Sequence, residues 1–159
     1  MTPGAADGVV RMHASCVAVA GRGVLITGRS GSGKSTLALK LIALGAELVA
    51  DDQVLLRPAG DEVLAAAPAR LEGLIECHGL GILRLAHRET APVALVSDLE
   101  ASGVVRMPQL RKRCIADRWF PLIAGRERPN LAYEITALLR HGRPPYFLDP
   151  EGPPDADAG

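Results

Sequence analysis

At 159 residues, of which 48% are hydrophobic and 23% charged, the chain suits one compact domain and is too short for a large multidomain enzyme. Its 18 basic residues balance 18 acidic ones, so no basic excess draws it to nucleic acid or to an anionic membrane surface, and its hydrophobic content excludes global disorder. Cys16, Cys77 and Cys114 are odd in number and far apart, which argues against a zinc ribbon or a redox pair and predicts reduced, partly buried thiols.

Residues 1–8 lack the cationic and apolar blocks of a signal peptide and predict a flexible start. No apolar run approaches the roughly 20 residues that cross a bilayer, so a soluble, cytoplasmic protein is expected. One α/β domain is predicted over 9–142, followed by a flexible tail over 143–159 that is rich in proline and acidic residues. Val17–Ala20 and Val24–Thr27 are β-prone runs around Gly21-Arg22-Gly23, a three-residue turn suited to a hairpin. Residues 34–44 are strong helix formers, and Gly45 stands where a left-handed cap ends a helix. Leu48–Ala50 then gives a short buried strand, so the helix is the crossover between two parallel strands. Strands are predicted over 53–57 and 62–66, around a turn at 58–61, and over 92–96. Apolar residues at 131, 135, 138 and 139 predict a helix over 131–140 that stops at Gly142. Residues 98–129 show no decisive pattern.

Gly28-Arg29-Ser30-Gly31-Ser32-Gly33-Lys34-Ser35 satisfies G-x-x-x-x-G-K-[ST], with a strand before it and a helix after it. Glycines let the backbone curl around phosphate oxygens and aim N–H groups inward. Lys34 is placed to meet the β/γ-phosphates, Ser35 to give its hydroxyl to Mg²⁺, and the helix start, with Thr36, to offer its positive dipole end. Gly28, Ser30, Gly31, Ser32, Gly33, Lys34, Ser35 and Thr36 are thus the expected nucleotide-binding set. Asp51 and Asp52 follow at the carboxyl end of the next strand, where open α/β sheets put their ligands. One acid can hold the metal while the other takes a proton from an attacking hydroxyl; the residues alone leave open which does which. The absence of an [NT]-K-x-D motif disfavours an ordinary GTPase.

The string Val24 to Ser35, followed by Leu48-Val49-Ala50-Asp51-Asp52, resembles the catalytic domain of bacterial HPr kinase/phosphorylase. His13, 21 residues before Lys34, matches a histidine which that family carries ahead of the hairpin. Ile75-Glu76-Cys77-His78-Gly79-Leu80-Gly81-Ile82 is similar to the family's I-E-x-R-G-x-G-I segment, and Asn130-Leu131-Ala132 to the end of its R-P-G-R-N-L-A segment. The likeness is good over residues 9–97 and poor over 98–142. It implies an α/β P-loop domain related to the phosphoenolpyruvate carboxykinase fold, with a hairpin entering the phosphate loop and a mixed sheet with flanking helices, in the short form without the family's additional amino-terminal domain. It further implies an ATP- and Mg²⁺-dependent protein serine kinase acting on the phosphocarrier HPr, with a reverse phosphorolysis that takes inorganic phosphate and yields pyrophosphate, and homo-oligomers, usually hexamers.

Carried over, the resemblance makes Asp51, Asp52 and His13 the catalytic candidates and Ser35, Asp51 and Glu76 the metal candidates. Two departures stand out. His78 replaces the family's arginine, exchanging a permanent cation for a titratable one, and the later loop is altered, with Arg111-Lys112-Arg113 as candidate replacement cations. The rival readings are a P-loop kinase or ATPase acting on a small molecule and a nucleotide-sensing module without chemistry.

Overall fold

The computed structural model describes residues 8–102 and 111–142; of the flexible start expected over 1–8 all but Gly8, and the whole of the tail expected over 143–159, lie outside the described residues. In chain order the strands are β1 (Val10–Met12), β2 (Ser15–Val19) and β3 (Arg22–Thr27), then helix α1 (Lys34–Ala43) and β4 (Glu47–Ala50). There follow β5 (Val54–Ala59), β6 (Glu62–Ala66), β7 (Leu74–Cys77), β8 (Gly81–Arg84), β9 (Ala91–Asp98), β10 (Lys112–Ile115), β11 (Arg118–Ala124) and helix α2 (Leu131–His141).

The main sheet runs β1-β5-β6-β9-β3-β2-β4, and β11, which also carries β10, joins it alongside β9. β9 is the central strand: it pairs in parallel with β3 on one edge, while the other edge takes β6 at its start and β11 in parallel at its end. β3 and β4 run parallel, as a helix crossover requires. β2 lies between them, antiparallel to both, so the crossover spans a strand that the hairpin has inserted.

Residues of alternate parity on these strands build two cores, as the two-residue period of a strand dictates. Val17, Val19, Val24 and Ile26 face Leu37 and Leu41 of α1 and Ile135 and Leu139 of α2. Cys16, Ala18 and Leu25 face the other way, onto Val54, Leu56, Val63 and Phe120. Both helices therefore cover one face of the sheet, and the strands to either side curl over the other. Among the described residues no helix is long and apolar enough to cross a membrane.

Several boundaries differ from the sequence reading for local reasons. The turn between β2 and β3 is Ala20-Gly21 rather than Gly21-Arg22-Gly23. Both its residues have positive φ (53° and 81°), the conformation of the primed hairpin turns, so Arg22 already pairs with Val19 and Gly23 with Ala18. The helix stop is as expected: Gly45 has φ 108°, its N–H reaches the Ile42 carbonyl and that of Ala46 the Leu41 carbonyl, which is a Schellman cap. Residues 98–129, unassigned by pattern, hold β10 and β11 around a turn at Ala116-Asp117, again with both φ values positive. Cys16 and Cys77 are buried and Cys114 is exposed, all three as free thiols, so the expected partial burial fits none of them.

Candidate active site

The loop from Gly28 to Gly33 leaves the carboxyl end of β3 and enters α1 at Lys34. Gly33 caps the helix with φ 102°, with no side-chain cap, and no acidic residue lies in the first turn. The helix thus presents bare N–H groups and an uncompensated positive dipole end, which suits an anion. Gly28 is needed for close approach: a Cβ there would meet the Ser32 hydroxyl. The Lys34 side chain is folded in and only 7% exposed. Its ammonium donates to the carbonyls of Gly28 at 2.8 Å and Arg29 at 3.1 Å, closing the loop on itself.

A cleft of about 350 Å³ opens beside this loop. Of the sequence candidates, His13, Ser30, Gly31, Gly33, Lys34, Ser35, Thr36, Asp52 and Glu76 all line it, as do Ser15 and His78. Ser32 does not: its N–H is spent on the Arg29 carbonyl at 3.0 Å, its hydroxyl is buried without a partner, and it borders a separate hollow behind the loop. Nor do Arg111, Lys112 and Arg113, so they do not stand in for the missing arginine. Arg113 is instead paired with Asp98 at 2.6 Å, and Arg111 donates to the Ser102 carbonyl.

The acid pair at the end of β4 is split between two environments. Asp51 is buried, 6% exposed, and accepts hydrogen bonds from Ser15 Oγ at 2.7 Å, Ser35 Oγ at 2.8 and 3.0 Å and the Glu76 N–H at 3.2 Å. Asp52 has φ 74°, a conformation that non-glycine residues visit rarely and that clusters at functional sites. That kink breaks the strand path, so Asp52 projects into the cleft with its side chain 61% exposed. His13 stands over it, Nδ1 lying 3.4 Å from an Asp52 oxygen and Nε2 3.4 Å from Ser30 Oγ. Ser15 carried no signal in the sequence, because a lone serine at a strand start is unremarkable. Its register opposite Ile26 is what brings it to Asp51.

Glu76 and His78 reach the cleft on the β7–β8 hairpin, which pairs Glu76 with Ile82 and Cys77 with Gly81. Among the described residues no three His, Cys, Asp or Glu side chains are grouped to hold a metal ion unaided. A carboxylate and a hydroxyl meeting at a phosphate loop do fit Mg²⁺, a hard ion that commonly takes one or two protein oxygens and completes its shell with substrate phosphates and water.

The chain matches the HPr Serine kinase C-terminal domain model over residues 7–89. It is 41% identical over 100 residues to the HPr kinase/phosphorylase of Listeria welshimeri, a match covering 58% of this chain and 32% of that protein. Its identity to the HPr kinase/phosphorylase of Geobacillus kaustophilus is 44% over 97 residues, covering 56% of this chain and 31% of that protein. It thus spans about a third of the length of these relatives. Among solved structures it is similar to the Hpr(Ser) kinase/phosphatase from Coxiella burnetii, with a TM-score of 0.72 and 29% identity over 82% of this chain and 88% of that one.

Proposed function

The chain belongs to the HPr Serine kinase C-terminal domain family, and from that premise we propose that it is an ATP-dependent protein serine kinase whose substrate is the phosphocarrier HPr. The observation that carries the reading is the division of labour between two adjacent acids. One is locked beneath the helix mouth against Ser35, and the other, contacted by His13, projects into the cleft with its side chain largely exposed. A nucleotide sensor needs the first and has no use for the second.

In this reading the loop amides and Lys34 bind the terminal phosphates, and Ser35 with Asp51 holds Mg²⁺, with Glu76 beside them. Mg²⁺, when bound, draws off charge from the phosphate oxygens. Asp52 accepts the proton of the incoming serine hydroxyl, and its exposure lets a hydroxyl on another protein reach it. His13 orients Asp52 through its Nδ1 contact and, when protonated, adds positive charge near the transferred group. Positioning and electrostatics supply most of the rate in such transfers. The relatives' names include a phosphorylase activity, so we extend the proposal to phosphorolysis of phospho-HPr with inorganic phosphate, giving pyrophosphate; work as a homo-oligomer in the cytoplasm is proposed on the family resemblance alone.

The test is incubation of the protein with labelled ATP, Mg²⁺ and HPr, followed by addition of phosphate. Labelled HPr that appears with the wild type and not with Lys34→Ala, and pyrophosphate after phosphate is added, are the expected results. Label on a metabolite but not on HPr would favour a small-molecule kinase; tight nucleotide binding with no labelled product would favour a sensor.

A further inference from the structure

We propose that Glu100 is a positioning residue for the phosphate loop, a strut that holds the Arg29 peptide so that the loop keeps its anion-binding shape; this rests on the loop being the nucleotide site. The loop is a thin wall. Ser30 and Gly31 border the cleft on one side and, on the other, a second hollow of about 380 Å³ whose further walls are Leu99, Glu100, Gly125 and Arg126. A segment with open space on both faces cannot be held by packing, so hydrogen bonds must fix it.

Those bonds converge on Arg29. Its carbonyl accepts the Ser32 N–H and the Lys34 ammonium, both from within the loop. Its N–H donates to Glu100 Oε2 at 2.6 Å. Among the described residues Glu100 is the side chain that reaches the loop backbone from outside. An ammonium has three hydrogens, and Lys34 spends two on loop carbonyls; each that turns to a phosphate is withdrawn from the loop. The Glu100 bond is untouched by that exchange.

The strut stands on a firm base. Asp98 Oδ1 accepts the Glu100 N–H at 2.9 Å, and Asp98 Oδ2 is paired with Arg113 of β10 at 2.6 Å. The intervening Leu99 N–H donates to the Thr27 carbonyl at 2.9 Å, so Glu100 is anchored to the ends of β3 and β9, the first of which delivers the loop. A carboxylate on a peptide N–H is a charge-assisted bond, stronger than a neutral one. The accompanying contact of Glu100 with Arg29 Nε, at 3.4 Å between exposed groups, is a surface ion pair and adds little.

The experiment compares wild type, Glu100→Ala, Glu100→Gln and Arg29→Ala by amide hydrogen exchange without nucleotide, by Mg·ATP titration, by melting and by steady-state transfer. Glu100→Ala is expected to speed exchange of the peptide covering residues 29–33 and to raise the Kd for Mg·ATP, each about tenfold, with the melting temperature lowered by no more than about 6 °C and the rate at saturating ATP unchanged. Glu100→Gln, whose amide oxygen still accepts, is expected to show a smaller change, and Arg29→Ala to keep the protection because the contact is to its peptide. Loop exchange at the wild-type rate in Glu100→Ala would overturn the proposal. So would equal loss of protection in Arg29→Ala, or exchange throughout β9 that speeds by more than that of the loop, which would make Glu100 a residue of the fold. Wild-type protein that does not bind Mg·ATP would sink the kinase reading instead, while the exchange of the nucleotide-free protein still decides on the strut.

Discussion

Replacing Asp51 with alanine separates its part in the fold from its part in the chemistry. The carboxylate satisfies the hydroxyls of Ser15 and Ser35 and the N–H of Glu76. Ser35 can turn its hydroxyl to the cleft, but Ser15 is fully buried, so its hydroxyl is stranded, and the part-buried Glu76 N–H loses its partner as well. A buried donor left unpaired costs about 1–3 kcal/mol, and removing a buried carboxylate recovers part of its desolvation cost. The net loss is about 2–4 kcal/mol, which in a domain of this size lowers the melting temperature by roughly 4–16 °C. Calorimetric melting reads this loss, and ATP titration with and without Mg²⁺ reads the metal: the variant should lose the gain in affinity that Mg²⁺ confers. Asp51→Asn, which keeps an acceptor oxygen and the volume, should recover much of the stability and none of the Mg²⁺ response. An alanine variant that melts within a degree of wild type, or binds ATP with the full Mg²⁺ dependence, would refute this account of Asp51.

Asp52→Asn should behave in the opposite way: asparagine tolerates the positive φ at this site, so melting and ATP binding stay as in wild type while transfer to HPr falls by about 10²–10⁴-fold; an unchanged rate would place the proton acceptor elsewhere. Burial pushes the Cys16 thiol up to about 12 from 9.0. Because the unfolded thiol ionises first, its contribution to stability is intact below about pH 9 and lost progressively from there towards pH 12, at up to about 1.4 kcal/mol per pH unit. Urea unfolding of wild type and Cys16→Ala along that range should show the wild type losing stability faster, and a thiol reagent should label the exposed Cys114 at once but Cys16 only on unfolding.

What could be read from the sequence was what is contiguous in it. The loop, its helix and the acid pair lie within residues 28–52, and the constraints there are local: glycine where φ is positive, a lysine at a helix mouth, a strand ending in two acids. Turns were legible only when glycine marked them. Gly21 drew attention to the first hairpin, though it was placed one residue late, whereas Ala116-Asp117 adopts the same pair of positive φ values with residues that carry little turn signal. The cation run 111–113 does not disclose its role in the sequence, because charge says nothing about its partner. Arg113 is matched by Asp98, and only the pairing of β10 with β11 and of β11 with β9 brings the two together. Ser15 and Glu100 were missed for the same reason: each acts on a residue far away in sequence, across a register.

The hairpin entry explains why so many of these residues meet at one end of the sheet. In an all-parallel arrangement the neighbour of a phosphate-loop strand also ends at the site and contributes the loop that follows it. Here β2 runs antiparallel between β3 and β4, so its beginning lies beside the carboxyl ends of both. Ser15 stands opposite Ile26 of β3, and the Cys16 that follows it opposite Ala50 of β4, which puts the Ser15 hydroxyl next to Asp51. One residue before Ser15, the Ala14 N–H bonds the Asp52 carbonyl at 3.3 Å, and that places His13 over the exposed acid. The inserted strand therefore fixes the buried carboxylate from below and covers the free one from above, and it does so with residues that precede the phosphate loop in the chain.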